Sequence, residues 1–372
     1  MKYELAERIL KNTMTHWSQI QMSDETKDIQ IISEIKYDDY QQYTHGMRFV
    51  ESLALWMRQF DNQRDKDCAY DLVKNKLIYI SEEEMRQLVS DVFPVVMKKY
   101  LLKRTRLFCD DKEIHTVEDR KRIFEYYKRK SLFLGLSDGA HMDFFRRQNP
   151  ALSNEQVFVY YDFSESKLDD MRKSLENDEY IKKICLQYSI EEDYKFIDFF
   201  LIDDFMGSGR SYIRKDDKGW HGKIKKFFER MDKLEYSRER IYVHLVLFVS
   251  TEKAIQYVVE NAEKYTREIG ANEITIECIQ IVQPINWDDN LYLKDLLTRN
   301  YKEYSEKSDC TFLDEHFKVG EGKEPYLGFA DGSFPLIIYH NTPNNSLPLL
   351  WYSWGDTVNA LFMRVTRHKE IQ

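Results

Sequence analysis

The sequence predicts an α/β fold: a doubly wound, mostly parallel sheet with a helical layer before it and a C-terminal α+β cover segment after it. Three observations carry this. Up to about Lys130 the apolar residues recur at three- and four-residue steps, and beyond it they gather into short β-prone runs separated by helical stretches. Those runs are apolar on both faces, as in strands covered on both sides. The strongest of them, Phe199-Phe200-Leu201-Ile202, ends in Asp203-Asp204 and then in glycine and serine, as a strand does where its carboxyl end meets a ligand.

The elements follow in order. Phe49, Leu53, Trp56 and Phe60, with Val50 and Met57 beside them, form one helical apolar stripe. Ser81 and Glu84 make a capping box, and the helix it opens buries Met85, Leu88, Val89 and Val92 before Pro94 bends or ends it. The cluster Lys98, Lys99, Lys103, Arg104 and Arg106 reads as a solvated face. Strands are expected at Leu132 to Leu136, Val157 to Tyr161, Phe196 to Ile202, Ile241 to Val249 and Ile274 to Val282. Helices are expected at Leu168 to Tyr188, Lys223 to Leu234 and Glu252 to Ile269, which makes right-handed βαβ units. Beyond them come a helix from Leu291 to Ser305, turns around Gly320 to Lys323, a strand at Phe334 to Tyr339 and an apolar, proline-bearing stretch from Leu347 to Trp354. The expected regions are 1–130 (helical), 131–285 (α/β core) and 286–372 (cover).

A chain of 372 residues can bury a large core. Its net charge of −9 argues against nucleic acid as a bulk partner while leaving local anion sites open. The five cysteines are scattered, never spaced C-x-x-C, and fit a reducing cytoplasm rather than a disulfide or zinc framework. The start MKYELAERILKN lacks the apolar core of a signal peptide, and no apolar stretch approaches a membrane span, so a cytoplasmic protein is expected. Neither the Walker spacing, nor G-x-G-x-x-G after a strand, nor a G-x-S-x-G elbow occurs, and the nine histidines lack metal-ligand spacing.

The chemistry concentrates in FFLIDDFMGSGRS. Carboxylates at a strand end can hold the vicinal hydroxyls of a ribose and a coordinated Mg²⁺. A following loop of small residues lets backbone N–H groups converge on a phosphate, with Ser208 and Ser211 adding hydroxyl donors. The competing reading is an ordinary strand-end turn capped by aspartate. The fully apolar strand before the acids and Gly-Ser-Gly-x-Ser after them favour the site.

This stretch resembles the phosphoribosyl-pyrophosphate loop of type I phosphoribosyltransferases, in which an apolar strand leads into two acids, two apolar residues and a hydroxyl- and glycine-rich loop. The resemblance implies that Asp203 and Asp204 are the ribose- and Mg²⁺-binding acids and that Gly207, Ser208, Gly209, Arg210 and Ser211 form the phosphate loop. Gly207 replaces a usual hydroxyl residue and Phe205 is larger than usual. It implies catalytic roles for Asp203, Asp204 and Arg210, and a pyrophosphate loop at Ser137-Asp138-Gly139-Ala140, of which Ser137 and Gly139 are the binding candidates. Arg146, Arg147, Arg214 and Lys215 are further cations near these loops. Trp287 and Asp288, after the last core strand, stay outside the site.

More narrowly, WMRQFD, LIYISEEE, DDFMGSG and HNTPNNSLPLLW resemble phosphoribosyltransferase-like proteins of bacterial conflict and antiviral-defence loci. One departure stands out: the long helix that usually follows the phosphate loop is interrupted by KDDKGWHG, with Gly219 and Gly222. Two functions are therefore expected to compete. One is an enzyme that transfers or cleaves a phosphoribosyl group with Mg²⁺. The other is a non-catalytic sensor of phosphoribosyl pyrophosphate or a nucleotide whose helical front contacts a protein partner or a second copy.

Overall fold

The computed structural model describes residues 2–160, 164–191, 194–307, 319–353 and 358–365. They form two compact units, Met1–Met85 with Gln283–Gln372 and Arg86–Val282. The expected boundaries at 130/131 and 285/286 differ from this division: residues 86–130 belong with the sheet, and residues 1–85 with the C-terminal segment.

The first unit opens with helices α1 (Tyr3–Lys11), α2 (Gln19–Ile35), α3 (Phe49–Met57) and α4 (Gln63–Asp71). The predicted stripe is core: Phe49, Val50, Leu53, Trp56, Met57 and Phe60 are all buried. A short strand, β1 (Ile78–Ile80), lies where only helix was expected. It pairs in parallel with Leu336–Ile338, far away in sequence. Helix α5 (Glu82–Asp91) begins with the predicted box: Ser81 Oγ accepts from Glu84 N–H at 3.2 Å and Glu84 Oε2 from Ser81 N–H at 2.9 Å.

Pro94 neither ends the helical run nor leaves it regular. It sits in a π-helical turn, Val92–Met97, which absorbs the missing N–H before α6 (Lys98–Asp111) and α7 (Val117–Arg129). On α6 the expected solvated face is broken by Arg104. Its Nε lies 3.2 Å from an oxygen of the fully buried Asp198, and its guanidinium lies over the Tyr242 ring, because a buried carboxylate needs a counter-charge.

The sheet follows. Strands β2 (Ser131–Gly135), β3 (Val157–Val159), β4 (Asp198–Met206), β7 (Tyr242–Ser250) and β8 (Thr275–Ile281) lie in the order β3-β2-β4-β7-β8, every pair parallel. The crossovers carry α8 (Met142–Gln148), α9 (Glu165–Glu176), α10 (Glu179–Tyr188), α11 (Lys223–Lys233) and α12 (Glu252–Ile269). The one helix expected over Leu168 to Tyr188 is two, because Asp178 accepts from the N–H groups of Tyr180 and Ile181 and caps a new start. A small antiparallel hairpin, β5 (Arg214–Asp216) and β6 (Gly219–His221), stands between β4 and α11.

Phe133, Phe199, Phe200 and Phe248 are among the fully buried side chains that fill both faces of the sheet. Strand β4 runs further than its apolar run. Asp203 pairs with Leu247 and Met206 with Ser250, so the acids lie within the strand rather than beyond it. The remaining elements, α13 (Leu291–Lys307), β9 (Leu336–Ile338) and α14 (Pro348–Trp351), belong to the first unit, where Trp56 Nε1 donates to Leu349 O at 2.8 Å. Trp354 lies outside the described residues.

Candidate functional site

In the strand order β3-β2-β4-β7-β8 the chain leaves β2 towards one edge and returns at β4 to build towards the other. The crossovers that follow β2 and β4 therefore lead to opposite sides of the sheet, the topology in which a crevice opens at the carboxyl ends of two neighbouring strands. Both predicted loops meet there. Leu136 N–H donates to Ile202 O at 2.8 Å, and the Ser137 hydroxyl donates to an Asp203 carboxylate oxygen. At Gly139 there is no room for a side chain: a Cβ would overlap the Asp204 carboxylate. The sequence predicted these loops separately, and the parallel pairing of β2 with β4 brings them together.

Successive strand residues face opposite sides of a sheet, so the adjacent acids have different surroundings. Asp203 is 1 % exposed. One carboxylate oxygen accepts from the Ser137 hydroxyl, and the other from Tyr212 O–H at 2.6 Å and from the Lys223 ammonium. Burial raises the proton affinity of Asp203, and the neighbouring Asp204 adds to this, while Lys223 and Ser137 oppose it. Burial and the adjoining Asp203 charge push the Tyr212 hydroxyl well above its ordinary range, so it is a fixed O–H donor. Asp204 is half-buried and lies beside Gly139, at the crevice.

The loop after β4 turns at Gly209, whose φ of +76° favours glycine and whose absent Cβ leaves room for Val258 and for Ala254 O of α12. Tyr212 N–H and Ile213 N–H both return to Gly209 O, at 2.9 and 3.3 Å. Thr251 Oγ1 donates to Gly207 O at 3.3 Å, which ties the loop to the start of α12. Among the described residues, the N–H groups of Ser208, Gly209 and Ser211 have no protein acceptor. Such a turn of small residues with open donors has a geometry that can hold an anion.

The expected interruption after the loop is the β5–β6 hairpin. It is fastened to α12 by Glu268, which accepts from Trp220 Nε1 at 2.9 Å and Lys215 Nζ at 3.0 Å. Gly222, with φ +118° and a Cβ position that would strike the Tyr212 backbone, returns the chain to the loop. Lys223 N–H then donates to Ser211 O and Ile224 N–H to Tyr212 O, each at 3.0 Å. These first helical donors of α11 are spent on the loop and are withheld from a ligand.

The cations proposed from sequence disperse. Lys215 is held by Glu268, Arg214 Nη1 donates to Arg210 O at 3.3 Å, and Arg210 lies 5.1 Å over the Tyr257 ring. Arg146 and Arg147 are exposed in the last turn of α8, with Arg147 paired to Asp143 at 3.5 Å. A cation that reaches Asp203, Lys223, was missed, as was Tyr212. Neither carries a motif of its own; the closest signal was Gly222, which marked a new helix start. Among the described residues no group of three or more His, Cys, Asp or Glu could hold a metal ion by itself. The donor set fits Mg²⁺ only as an ion shared between Asp204, water and the oxygens of a phosphorylated ligand.

Gly139→Ala tests this geometry. Its methyl group is expected to displace the Asp204 side chain, so that a ligand held by Asp204 would lose about tenfold in affinity, as with loss of one charged hydrogen bond, with the unfolding temperature nearly unchanged. Titration calorimetry of the variant beside the native chain checks it.

A family model, PRTase-CE, matches residues 53–364 of the 372, a span that includes both acids and both loops. No curated protein and no solved structure matches the chain.

Proposed function

The chain belongs to the PRTase-CE family and is a phosphoribosyltransferase-like protein, and on that premise we propose that the β2/β4 crevice binds phosphoribosyl pyrophosphate or a related nucleotide together with Mg²⁺. Asp204 accepts from the ribose hydroxyls and shares Mg²⁺ with the ligand. The open N–H groups of Ser208, Gly209 and Ser211, with the two serine hydroxyls, take the 5′-phosphate. The Ser137 to Gly139 loop lines the pyrophosphate side. The observation that supports this reading is the convergence at the switch point of an acid-bearing strand end and a loop with unspent N–H donors.

In the enzymatic form of the proposal, the bond between ribose C1 and pyrophosphate breaks as a bond from C1 to an acceptor, or to water, forms. Positive charge on the ribose is met by Asp204, and the crevice holds the reactants in place. Mg²⁺, when bound, would neutralise charge on the leaving pyrophosphate. Action on a nucleotide as an antiviral-defence effector in the cytoplasm belongs to the same proposal. The alternative, a non-catalytic sensor, is favoured by one observation: the first N–H groups of α11 bond to the loop instead of remaining open.

The test is a calorimetric titration of the native protein with phosphoribosyl pyrophosphate and Mg²⁺, followed by a pyrophosphate-release assay. Saturable binding near one equivalent supports the site; release of pyrophosphate selects the enzyme, and binding without release selects the sensor. Absence of binding by the folded protein to this ligand and to nucleotides contradicts the proposal.

A further inference from the structure

The ion pair between Lys223 and Asp203 divides the work of the site in a way the adjacent acids alone do not suggest. Three donors already occupy Asp203: the Ser137 hydroxyl, the Tyr212 hydroxyl and the Lys223 ammonium. With its side chain 2 % exposed, it has almost no surface left to offer a ligand. Lys223 is different, since 32 % of its side chain is exposed. Its backbone N–H is tied to Ser211 O at the end of the phosphate loop, and its ammonium lies 4.9 Å over the Tyr212 ring and against the strand end. The lysine therefore stands where the two loops meet, with part of its side chain open to solvent and an ammonium with capacity for three hydrogen bonds.

We propose that Lys223 is a phosphate-binding cation of this site and that Asp203 is a positioning residue that aims it, leaving Asp204 as the acid that faces the sugar. This rests on the phosphoribosyl reading given above. It names a resident positive charge that stays in the crevice when Mg²⁺ is absent. A phosphorylated sugar without pyrophosphate should therefore bind with little help from the metal.

The probe is ribose 5-phosphate, titrated in EDTA and again in Mg²⁺. Native protein is expected to bind in both, with affinities within about threefold. Lys223→Gln is expected to weaken binding at least tenfold in EDTA, the loss of one charge-assisted hydrogen bond, and Lys223→Arg to recover most of it. The double variant Asp203→Asn, Lys223→Gln separates binding from structure. It removes both charges without leaving a buried carboxylate unpaired, so a lysine that only neutralises Asp203 would leave the double variant binding like the native chain. A phosphate-binding lysine leaves it as weak as Lys223→Gln. Native-like binding by a folded Lys223→Gln or by the double variant overturns the inference alone. Failure of native protein to bind either ribose 5-phosphate or phosphoribosyl pyrophosphate, with or without Mg²⁺, overturns the site reading and this inference with it.

Discussion

Asp204→Ala is expected to lower the affinity for phosphoribosyl pyrophosphate about 100-fold while leaving the unfolding temperature nearly unchanged. The carboxylate is proposed to accept from two ribose hydroxyls and to share Mg²⁺. Hydrogen bonds to a charged group contribute about 1.5–3 kcal/mol each, so losing two removes about 3 kcal/mol or more. Stability should hardly change because Asp204 is half-buried at the mouth of the crevice. Titration calorimetry and a thermal melt of the same preparation check both halves. Native affinity in the variant would remove Asp204 from the sugar site.

Asp203→Ala should behave in the opposite way, with stability as its main effect. The substitution leaves the buried Tyr212 hydroxyl only its longer bond to Phe205 O at 3.3 Å, removes the acceptor of the half-buried Ser137 hydroxyl, and takes from Lys223 its carboxylate partner. Breaking a buried ion pair by removing one partner costs about 3–5 kcal/mol. The exposed third of Lys223 lets its ammonium reach water, which brings the expected loss to about 2–3 kcal/mol. For a unit of this size that lowers the midpoint of thermal unfolding by about 5–10 °C. Asp203→Asn keeps an acceptor for one hydroxyl and offers an N–H to the oxygen of the other, so it should retain more of the stability. Calorimetric melts of the two variants measure the difference, and an Asp203→Ala protein as stable as the native one would contradict the network as described. The contrast matters because sequence alone treats the two aspartates as equivalent, whereas strand alternation gives one to the interior and the other to the crevice.

The parallel α/β core was legible because its signals are local. Phe199 to Ile202 is an unbroken apolar run, and the change of period after Lys130 marks where helices give way to βαβ units. The loop after β4 stood out for the same reason, since acids, glycines and serines are gathered within Asp203 to Ser211. Strand β1 was not, because three residues carry no period and their partner, Leu336–Ile338, lies near the other end of the chain. The extent of β4 was misjudged because an aspartate reads as leaving the interior. Ser137, Tyr212 and Lys223 make its burial tolerable, and each is brought in by tertiary structure. Gly219 and Gly222 correctly announced an interrupted helix. That the interruption is a hairpin fastened by Glu268, with Lys223 delivered to the acids at its end, depends on a residue of α12 that no local pattern connects to it.

The most direct test of the switch-point site is hydrogen–deuterium exchange of the native chain with and without saturating phosphoribosyl pyrophosphate and Mg²⁺. Slowed exchange is expected in two separate segments, 137–141 and 207–213, because the open N–H groups of the loop acquire phosphate acceptors while the β2 loop contacts the same ligand. Saturated binding that protects neither segment, or protects only residues of the other unit, would place the ligand elsewhere and contradict it.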